Sequence, residues 1–336
     1  MKFLSNIKDI VLGLLSKLSK SIDEKQKFRF RISFLVTVIP TIALLFVGYY
    51  LHLIYEINLL YFDAYSAQAS EEIREAFVAF MAEKSLGYIG IFGCFFLLHF
   101  FVGMHISALL LKPFERIGSY CNEFLEDNRK VYEPDLFSDF KLLTSFSEYF
   151  FRHIHSTLKK EKWDDQTIPL YYTRIHGPIF ERVFFFHSCL MLGFLGTLSV
   201  VFIYFVSIDM NSNLIELAIT TLKSYGPEEV FFLKGQNSFI LSAITVSGSM
   251  VFVSYAVLAI VLYNKVSGAA FAYFATMRSF MKGKFSSRVH LIGYSYVRNY
   301  GRDLNRYLKF LETRLNEFEN PEIGDSEKVK KLKRSV

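Results

Sequence analysis

The stretch ISFLVTVIPTIALLFVGYYLHL, at residues 32–53, contains no Lys, Arg, Asp or Glu. Three later stretches share this property, at about 86–111, 183–206 and 239–263. A helix rises about 1.5 Å per residue, so about 20 apolar residues cross the roughly 30 Å of hydrocarbon in a bilayer. The apolar residues are continuous and do not alternate, which favours helices over barrel strands. The sequence therefore predicts an all-α membrane protein with four transmembrane helices in two hairpin pairs.

The composition agrees with this prediction. Of the 336 residues, 52% are hydrophobic and 21% are charged, whereas a soluble domain carries about 25% charged residues. Disorder is excluded for most of the chain because the apolar content is too high. The three cysteines, Cys94, Cys121 and Cys189, are odd in number and lack CxxC spacing. A disulfide framework or a zinc ribbon is therefore not expected.

The basic residues indicate the orientation. Of the 38 Lys and Arg residues, 8 precede the first span, 2 lie between the first pair of spans, 11 in the middle stretch, 2 between the second pair and 15 after the last span. The positive-inside rule places the basic segments in the cytoplasm. We therefore expect a multi-pass protein of the bacterial inner membrane with both termini cytoplasmic. This distribution explains the net charge of +6 without any nucleic-acid partner.

These patterns divide the chain into six segments, and the architecture occurs twice. The amphipathic basic helix predicted at 1–31 either lies on the inner leaflet or packs on other cytoplasmic parts. The predicted segments are 1–31, a cytoplasmic amphipathic helix; 32–111, a transmembrane hairpin with an external segment at about 55–85; 112–182, a cytoplasmic helical segment and linker; 183–263, a second transmembrane hairpin with an external segment at about 207–238; 264–316, a second cytoplasmic helical segment; and 317–336, a disordered charged tail.

Each cytoplasmic segment shows apolar residues at steps of three and four, which is typical of helices that pack on a partner helix. Pro113 follows the second span, where a proline can begin a helix. The partner helix belongs either to a second protomer or to the other half of the same chain. We call the main apolar positions the seam: Ile117, Phe140 and Leu143 in the first half, and Val297, Tyr300, Leu304, Leu311 and Leu315 in the second.

At these residues the sequence resembles the HAMP linker of bacterial chemoreceptors and sensor kinases, over about 113–160 and 266–316. Lys112-Pro113 resembles the proline that begins the module. The run KGKFSSRV at 282–289, with Gly283 and Val289, resembles its connector between two helices. Asn305, seven residues before Glu312, resembles the Asn late in its second helix. Ordinary cytoplasmic coiled-coil hairpins are the alternative interpretation.

The resemblance implies a parallel homodimeric four-helix bundle that relays conformational change from the membrane. We expect no output domain after the second segment, and we therefore expect a separate partner protein and a homo-oligomer, most simply a dimer. The predicted function is a non-enzymatic signal relay. The alternatives are a structural or scaffold subunit of a motor, secretion or envelope complex, and a small channel or transporter.

No motif of phosphate-binding, hydrolase or metalloprotease chemistry occurs in the sequence. We therefore expect no catalytic residues, no cofactor and no metal. His105 and His187 lie at similar depth near the cytoplasmic side, which leaves a haem or a metal conceivable. Structural histidines held by hydrogen bonds are the preferred interpretation.

Overall fold

The computed structural model describes residues 23–64, 67–135, 138–160, 168–173, 180–221 and 235–319. All the regular elements in these ranges are helical, which confirms the predicted all-α class. Residues 1–22 of the predicted amphipathic helix and 320–336 of the predicted tail lie outside them, whereas 24–31 and 317–319 are helical. The helices are α1 (Glu24–Asp63), α2 (Ala67–Glu126), α3 (Lys141–Lys160), α4 (Leu170–Thr173), α5 (Arg182–Thr221), α6 (Asn237–Met281) and α7 (Arg298–Glu319), with a 3₁₀ helix at Ser295–Val297 before α7.

Four of these helices, α1, α2, α5 and α6, are long and apolar enough to cross a membrane. They contain the four apolar stretches of the sequence, so the prediction of four membrane-spanning helices is confirmed at this level. Each helix extends well beyond its apolar stretch: α2 has 60 residues, or about 90 Å at 1.5 Å per residue. The helices are therefore longer than the hydrocarbon region is thick, and each is continuous beyond its apolar stretch.

The prediction that Pro113 begins a helix is wrong, because Pro113 lies inside α2. A proline within a helix removes one backbone hydrogen bond, and here the residues on both sides remain helical. Phe114 and Ile117, just beyond the proline, are almost fully buried, and their packing offsets that local loss. Pro40 likewise lies inside α1.

The chain forms two compact units. One, which we call the span unit, comprises the described residues within Phe30–His105 and Ser188–Ile260. The other, which we call the bundle unit, comprises the described residues within Met1–Arg29, Ile106–His187 and Val261–Val336. All four long helices contribute residues to both units.

Small and polar residues hold the span unit together. A Cβ at Gly103 would lie 2.5 Å from the Cα of Ser33, so only glycine permits this approach of α1 and α2. The hydroxyl of Tyr255 on α6 donates a 2.9 Å hydrogen bond to the carbonyl oxygen of Val36 on α1. Large apolar side chains such as Leu45 and Leu190 are 68% and 71% exposed, as expected for surfaces that face lipid.

Within the span unit, α1, α2 and α5 also pack against one another. Leu59, Ile73 and Ala218 form a small buried cluster. Tyr55 stacks on Phe77 with ring centroids 4.1 Å apart. The segment predicted as external at about 55–85 is therefore largely a continuation of α1 and α2 and not a separate domain. Much of the second predicted external segment lies outside the described residues.

Candidate functional site in the bundle unit

The two predicted hairpins pack against each other inside one chain. Phe114 and Phe146 of the first half contact Tyr273 and Phe274 of α6, with ring centroids 5.2 Å and 4.5 Å apart. Gly118 lies against Tyr300, where a Cβ on the glycine would be 3.0 Å from the Tyr300 Cβ. The sequence allowed each apolar stripe to pack on a second protomer or on the other half of the same chain. In this structure it packs on the other half of the same chain. The apolar stripes are therefore buried without a second protomer.

The seam residues are buried, with one exception. Tyr300 is half-buried, and Lys25 lies near the face of its ring. The other seam residues are at most 3% exposed: Ile117, Phe140, Leu143, Val297, Leu304, Leu311 and Leu315. Burial at steps of three and four follows the predicted helix faces, so the sequence pattern correctly marks which side of each helix is buried.

The second connector begins where Gly283 ends α6. Its φ is +80°, a left-handed conformation that glycine adopts at little cost. The Gly283 N–H donates to the Phe280 carbonyl at 3.0 Å, and the Lys284 N–H donates to that of Ser279 at 3.2 Å. This pair of bonds is a Schellman motif, which satisfies carbonyl groups at the end of the helix. The glycine that the resemblance singled out therefore has a definite backbone role.

The far end of this connector is clamped to α7. Val289 is 5% exposed, and its N–H donates to Asn305 Oδ1 at 2.7 Å while Asn305 Nδ2 donates to its carbonyl oxygen at 2.9 Å. Arg288 donates to Glu312 and forms an ion pair with it. Arg288 also donates to the carbonyl oxygens of Phe285 and Ser287, both at 2.8 Å. The structure thus brings together the connector residues with the Asn and Glu of the resemblance.

The first connector is built differently. The carbonyl oxygen and Oδ1 of Asp127 accept the N–H groups of Lys130 and Arg129 at 3.1 Å and 3.0 Å, which forms a turn without glycine. Val131 is 64% exposed, whereas Tyr132 is 6% exposed. The Tyr132 ring packs against Phe151 with centroids 4.6 Å apart. A buried aromatic residue thus anchors this connector where Val289 anchors the second.

Glu181 is a buried carboxylate that the sequence analysis missed. It precedes α5, is 2% exposed, and accepts the N–H groups of Leu142 and Leu143 at 3.2 Å and 2.8 Å. These N–H groups lie in the first turn of α3, where they have no partner within the helix. Burial raises the pKa of the Glu181 carboxyl to about 7, although the two N–H donors favour its charged form. The only signal in the sequence is an acid two residues before the third apolar run.

Two further contacts join the same elements. Phe140, directly before α3, stacks on Phe184 of α5 with centroids 4.4 Å apart. His187 on α5 is hydrogen-bonded to Asp139, with Nδ1 2.6 Å from Oδ1. His187 therefore contacts a carboxylate in this structure. Together with Glu181, these contacts attach the start of α5 to the start of α3.

His99 in the span unit has hydrogen-bond partners on both ring nitrogens. Nδ1 lies 2.9 Å from the Phe95 carbonyl oxygen and Nε2 lies 3.0 Å from Ser199 Oγ. Among the described residues, no group of three or more His, Cys, Asp or Glu side chains is placed to hold a metal ion. Comparison of the chain with protein-family models, curated proteins and solved structures finds no match. The class of the protein is therefore defined by its fold: an all-helical chain with four helices able to cross a membrane.

Proposed function

We propose that this protein is a non-enzymatic signal relay of a bacterial inner membrane. It passes conformational change through HAMP-like helices to a separate partner protein. The observation that carries the proposal is the continuity of α2 and α6, each of which runs unbroken from the span unit into the bundle unit. A rotation or shift of either helix in the membrane must displace its other end, because an unbroken helix is stiff over many turns.

The packing of the bundle transmits such a displacement from one long helix to another. Phe114 of α2 and Tyr273 of α6 touch each other, so movement of one long helix repacks the other. Packed interfaces of this kind change between discrete arrangements and do not deform continuously. The clamp of Asn305 and Glu312 on the second connector sets how tightly α7 follows α6. In this proposal the clamp has two packing arrangements, and movement of the membrane helices shifts the equilibrium between them.

The proposal also covers orientation and assembly. The excess of Lys and Arg in the segments before, between and after the hairpin pairs supports cytoplasmic placement of both termini and of the bundle. The seam is already buried within one chain. We therefore expect a homodimer to form through surfaces outside the seam, and the separate partner to bind on the exposed faces of the bundle.

The test measures whether a change in the membrane helices alters the connector, and it needs no known partner protein. The purified full chain is placed in nanodiscs of short-chain or long-chain phospholipids, because a change in bilayer thickness tilts spanning helices. Hydrogen exchange is then followed at the connector Lys282–Val289. The doubly substituted chain Asn264→Gly/Lys265→Gly softens α6 at two exposed positions, since glycine costs about 1 kcal/mol per position relative to alanine in a helix.

The matched control is Asn264→Ala/Lys265→Ala, which removes the same side chains and keeps the helix stiff. A relay predicts that the lipid change alters exchange at the connector in the wild type and in the alanine variant, and alters it less in the glycine variant. Exchange that is indifferent to lipid in the wild type, or an equal response in all three proteins, would overturn the relay.

A scaffold subunit of an inner-membrane complex is the second candidate. Its support is two apolar side chains exposed beside the connectors, Val131 at 64% and Ile292 at 91%, because a docked partner would remove their apolar surface from water. For a scaffold, Val131→Ser/Ile292→Ser removes stoichiometric co-purification of a partner and leaves connector exchange unaffected by lipid. Retention of every partner by this variant would contradict docking at these residues.

A further inference from the structure

A cleft with a volume of about 470 Å³ lies in the bundle unit between the first connector, α3 and α7. Its walls include the phenyl rings of Phe124 and Phe310. Phe124 is 1% exposed and forms a fixed surface, whereas Phe310 is half-buried. Pockets for small molecules commonly have volumes of about 300–1,000 Å³ and apolar walls with a few placed polar groups. The cleft therefore has the size of a ligand site, and five of its eight lining residues are polar or basic.

Apart from Asn128, the polar groups of the cleft are basic, and they come from three elements. Arg129 belongs to the first connector, Lys159 to the last turn of α3, and Arg314 to α7, with the His155 ring beside them. Arg314 forms an exposed ion pair with Glu317 at 3.3 Å. Between the described residues, the structure shows no ion pair to Arg129 or Lys159. A basic residue often lies at the end of one helix, but here three elements direct cations into the same cleft.

Three other basic residues of the bundle unit have carboxylate partners. Lys25 pairs with Glu115 at 2.8 Å, and Lys112 pairs with Asp135 at 2.9 Å. Arg116 pairs with Glu133 at 3.4 Å. Arg129 and Lys159 of the cleft differ from these three residues, because no ion pair to either is present among the described residues.

The rings indicate what kind of anion fits. The Arg314 guanidinium lies over the Phe310 ring, 5.6 Å from its centroid. Phe124 and Phe310 meet edge to face with centroids 6.4 Å apart. A bare anion contacts the cations and leaves the half-buried Phe310 ring unused. A ligand with a flat aromatic ring joined to phosphate groups uses both, since aromatic and guanidinium surfaces stack on bases and arginines bind phosphate.

We infer that this cleft binds a nucleotide. The phosphates contact Arg129, Lys159 and Arg314, and the base packs against Phe310 over the floor formed by Phe124. The ligand would touch the first connector and α3 of the first half, and α7 of the second half. It would therefore brace the two halves of the bundle against each other. This inference does not depend on the relay function, because it rests only on the lining of the cleft.

The experiment is a binding titration of the purified full chain in nanodiscs with ATP, GTP and inorganic triphosphate. The expected result is saturable binding of at least one nucleotide, more tightly than triphosphate. The double variant Arg129→Gln/Lys159→Gln should weaken nucleotide binding at least about tenfold, because it removes two charged contacts to the phosphates. Phe310→Leu should weaken nucleotide binding and leave triphosphate binding unchanged, because only the base uses the ring.

The matched control is Lys130→Gln/Lys309→Gln, which removes the same charge from exposed positions outside the cleft lining. Thermal unfolding of each variant checks that the bundle remains folded. Equal loss of binding in the cleft variant and in the control would show attraction by net charge alone and overturn the site. Triphosphate binding as tight as that of either nucleotide would overturn the assignment of a nucleotide. Absence of saturable binding would overturn both.

Discussion

The side-chain amide of Asn305 on α7 is bonded in both directions to the backbone of Val289 in the second connector. The Val289 N–H donates to Oδ1 at 2.7 Å, and Nδ2 donates to the Val289 carbonyl oxygen at 2.9 Å. The amide thus replaces the backbone partner that a strand or helix would have supplied. One side chain thereby holds an otherwise irregular segment against a helix.

Asn305→Ala should destabilise this attachment by about 1–3 kcal/mol, because it leaves a buried N–H and a buried carbonyl without partners. Hydrogen exchange at the Val289 amide is the direct measurement, and exchange there should become faster by about tenfold or more. The amides of the α7 core near Leu308 should change much less.

Asn316→Ala is the matched control for this substitution, because Asn316 lies on the exposed side of the same helix. It should leave exchange at Val289 unchanged. Equal acceleration by both variants would mean that a general loosening of α7, and not the bond to Val289, controls the connector.

The intrachain pairing of the two halves predicts a specific disulfide. Gly118 and Tyr300 approach so closely that a Cβ on the glycine would be 3.0 Å from the Tyr300 Cβ, near the 3.5–4.5 Å typical of disulfides. Gly118→Cys/Tyr300→Cys, in a chain whose own cysteines are replaced by alanine, should oxidise within a single chain. The measurement is a redox-dependent mobility shift at the mass of the monomer.

Gly118→Cys/Arg302→Cys is the control, because Arg302 is exposed and should oxidise poorly. A cysteine at Leu304 or Leu311 bears on the dimer that the sequence resemblance implied. Both residues are fully buried within the chain, so we expect little cross-linking between protomers there. Efficient dimer cross-links at these two positions would favour a seam between protomers instead.

The topology predicts the location of reporter fusions. Fusions truncated at Ala69 and at Pro227 should report an external location, and those at Asp164 and Glu327 a cytoplasmic one, because basic segments are retained inside. Paired reporters, one active on each side of the membrane, make the measurement. An external signal at Asp164 would overturn the orientation.

Glu181 predicts a pH dependence of stability. Its carboxyl pKa is raised from 4.5 to about 7 by burial, so the folded state binds a proton more tightly than the unfolded state. The stabilising effect is complete below about pH 4.5 and is lost as the pH rises to about 7. Relative to Glu181→Gln, the wild type should lose up to about 3 kcal/mol over this range. Unfolding by SDS in mixed micelles at several pH values measures the difference.

Above about pH 7 the difference between wild type and Glu181→Gln should become constant, because both folded and unfolded carboxyls are then charged. Glu123→Gln, at an exposed carboxylate on α2, should follow the wild-type pH dependence. If Glu181→Gln also follows it, the carboxyl of Glu181 does not control stability in this range.

Most of the helical architecture follows from local pattern. The four apolar stretches determine the long helices because lipid offers no hydrogen-bond partner to the backbone. The steps of three and four correctly mark the buried faces at Ile117, Phe140 and Leu304, since a helix returns to the same face at that period. The role of Gly283 can also be predicted locally, because the left-handed position that follows a helix favours glycine.

Pro113 shows where local reasoning fails. Its position after an apolar run is typical of a helix start, yet the helix continues through it. Burial of Phe114 and Ile117 beyond the proline stabilises the continuation, and such packing is not visible in local propensity. The hydrogen bonds of Glu181 to α3 could not be predicted for a related reason. Glu181 lies 39 and 38 positions after its two partners, Leu142 and Leu143, so no local pattern connects them.

By itself, the sequence determined the helical class, the four apolar helices and the buried face of each bundle helix, because periodicity and hydrophobic length act over neighbouring residues. Only the tertiary structure decided that the two halves pair within one chain, that Asn305 and Glu312 clamp the second connector, and that Arg129, Lys159 and Arg314 meet at one cleft. An apolar stripe is satisfied equally by any complementary helix, and side chains from distant segments meet only when the whole packing is defined. The partner of each face was therefore a property of the folded chain and not of any single stretch.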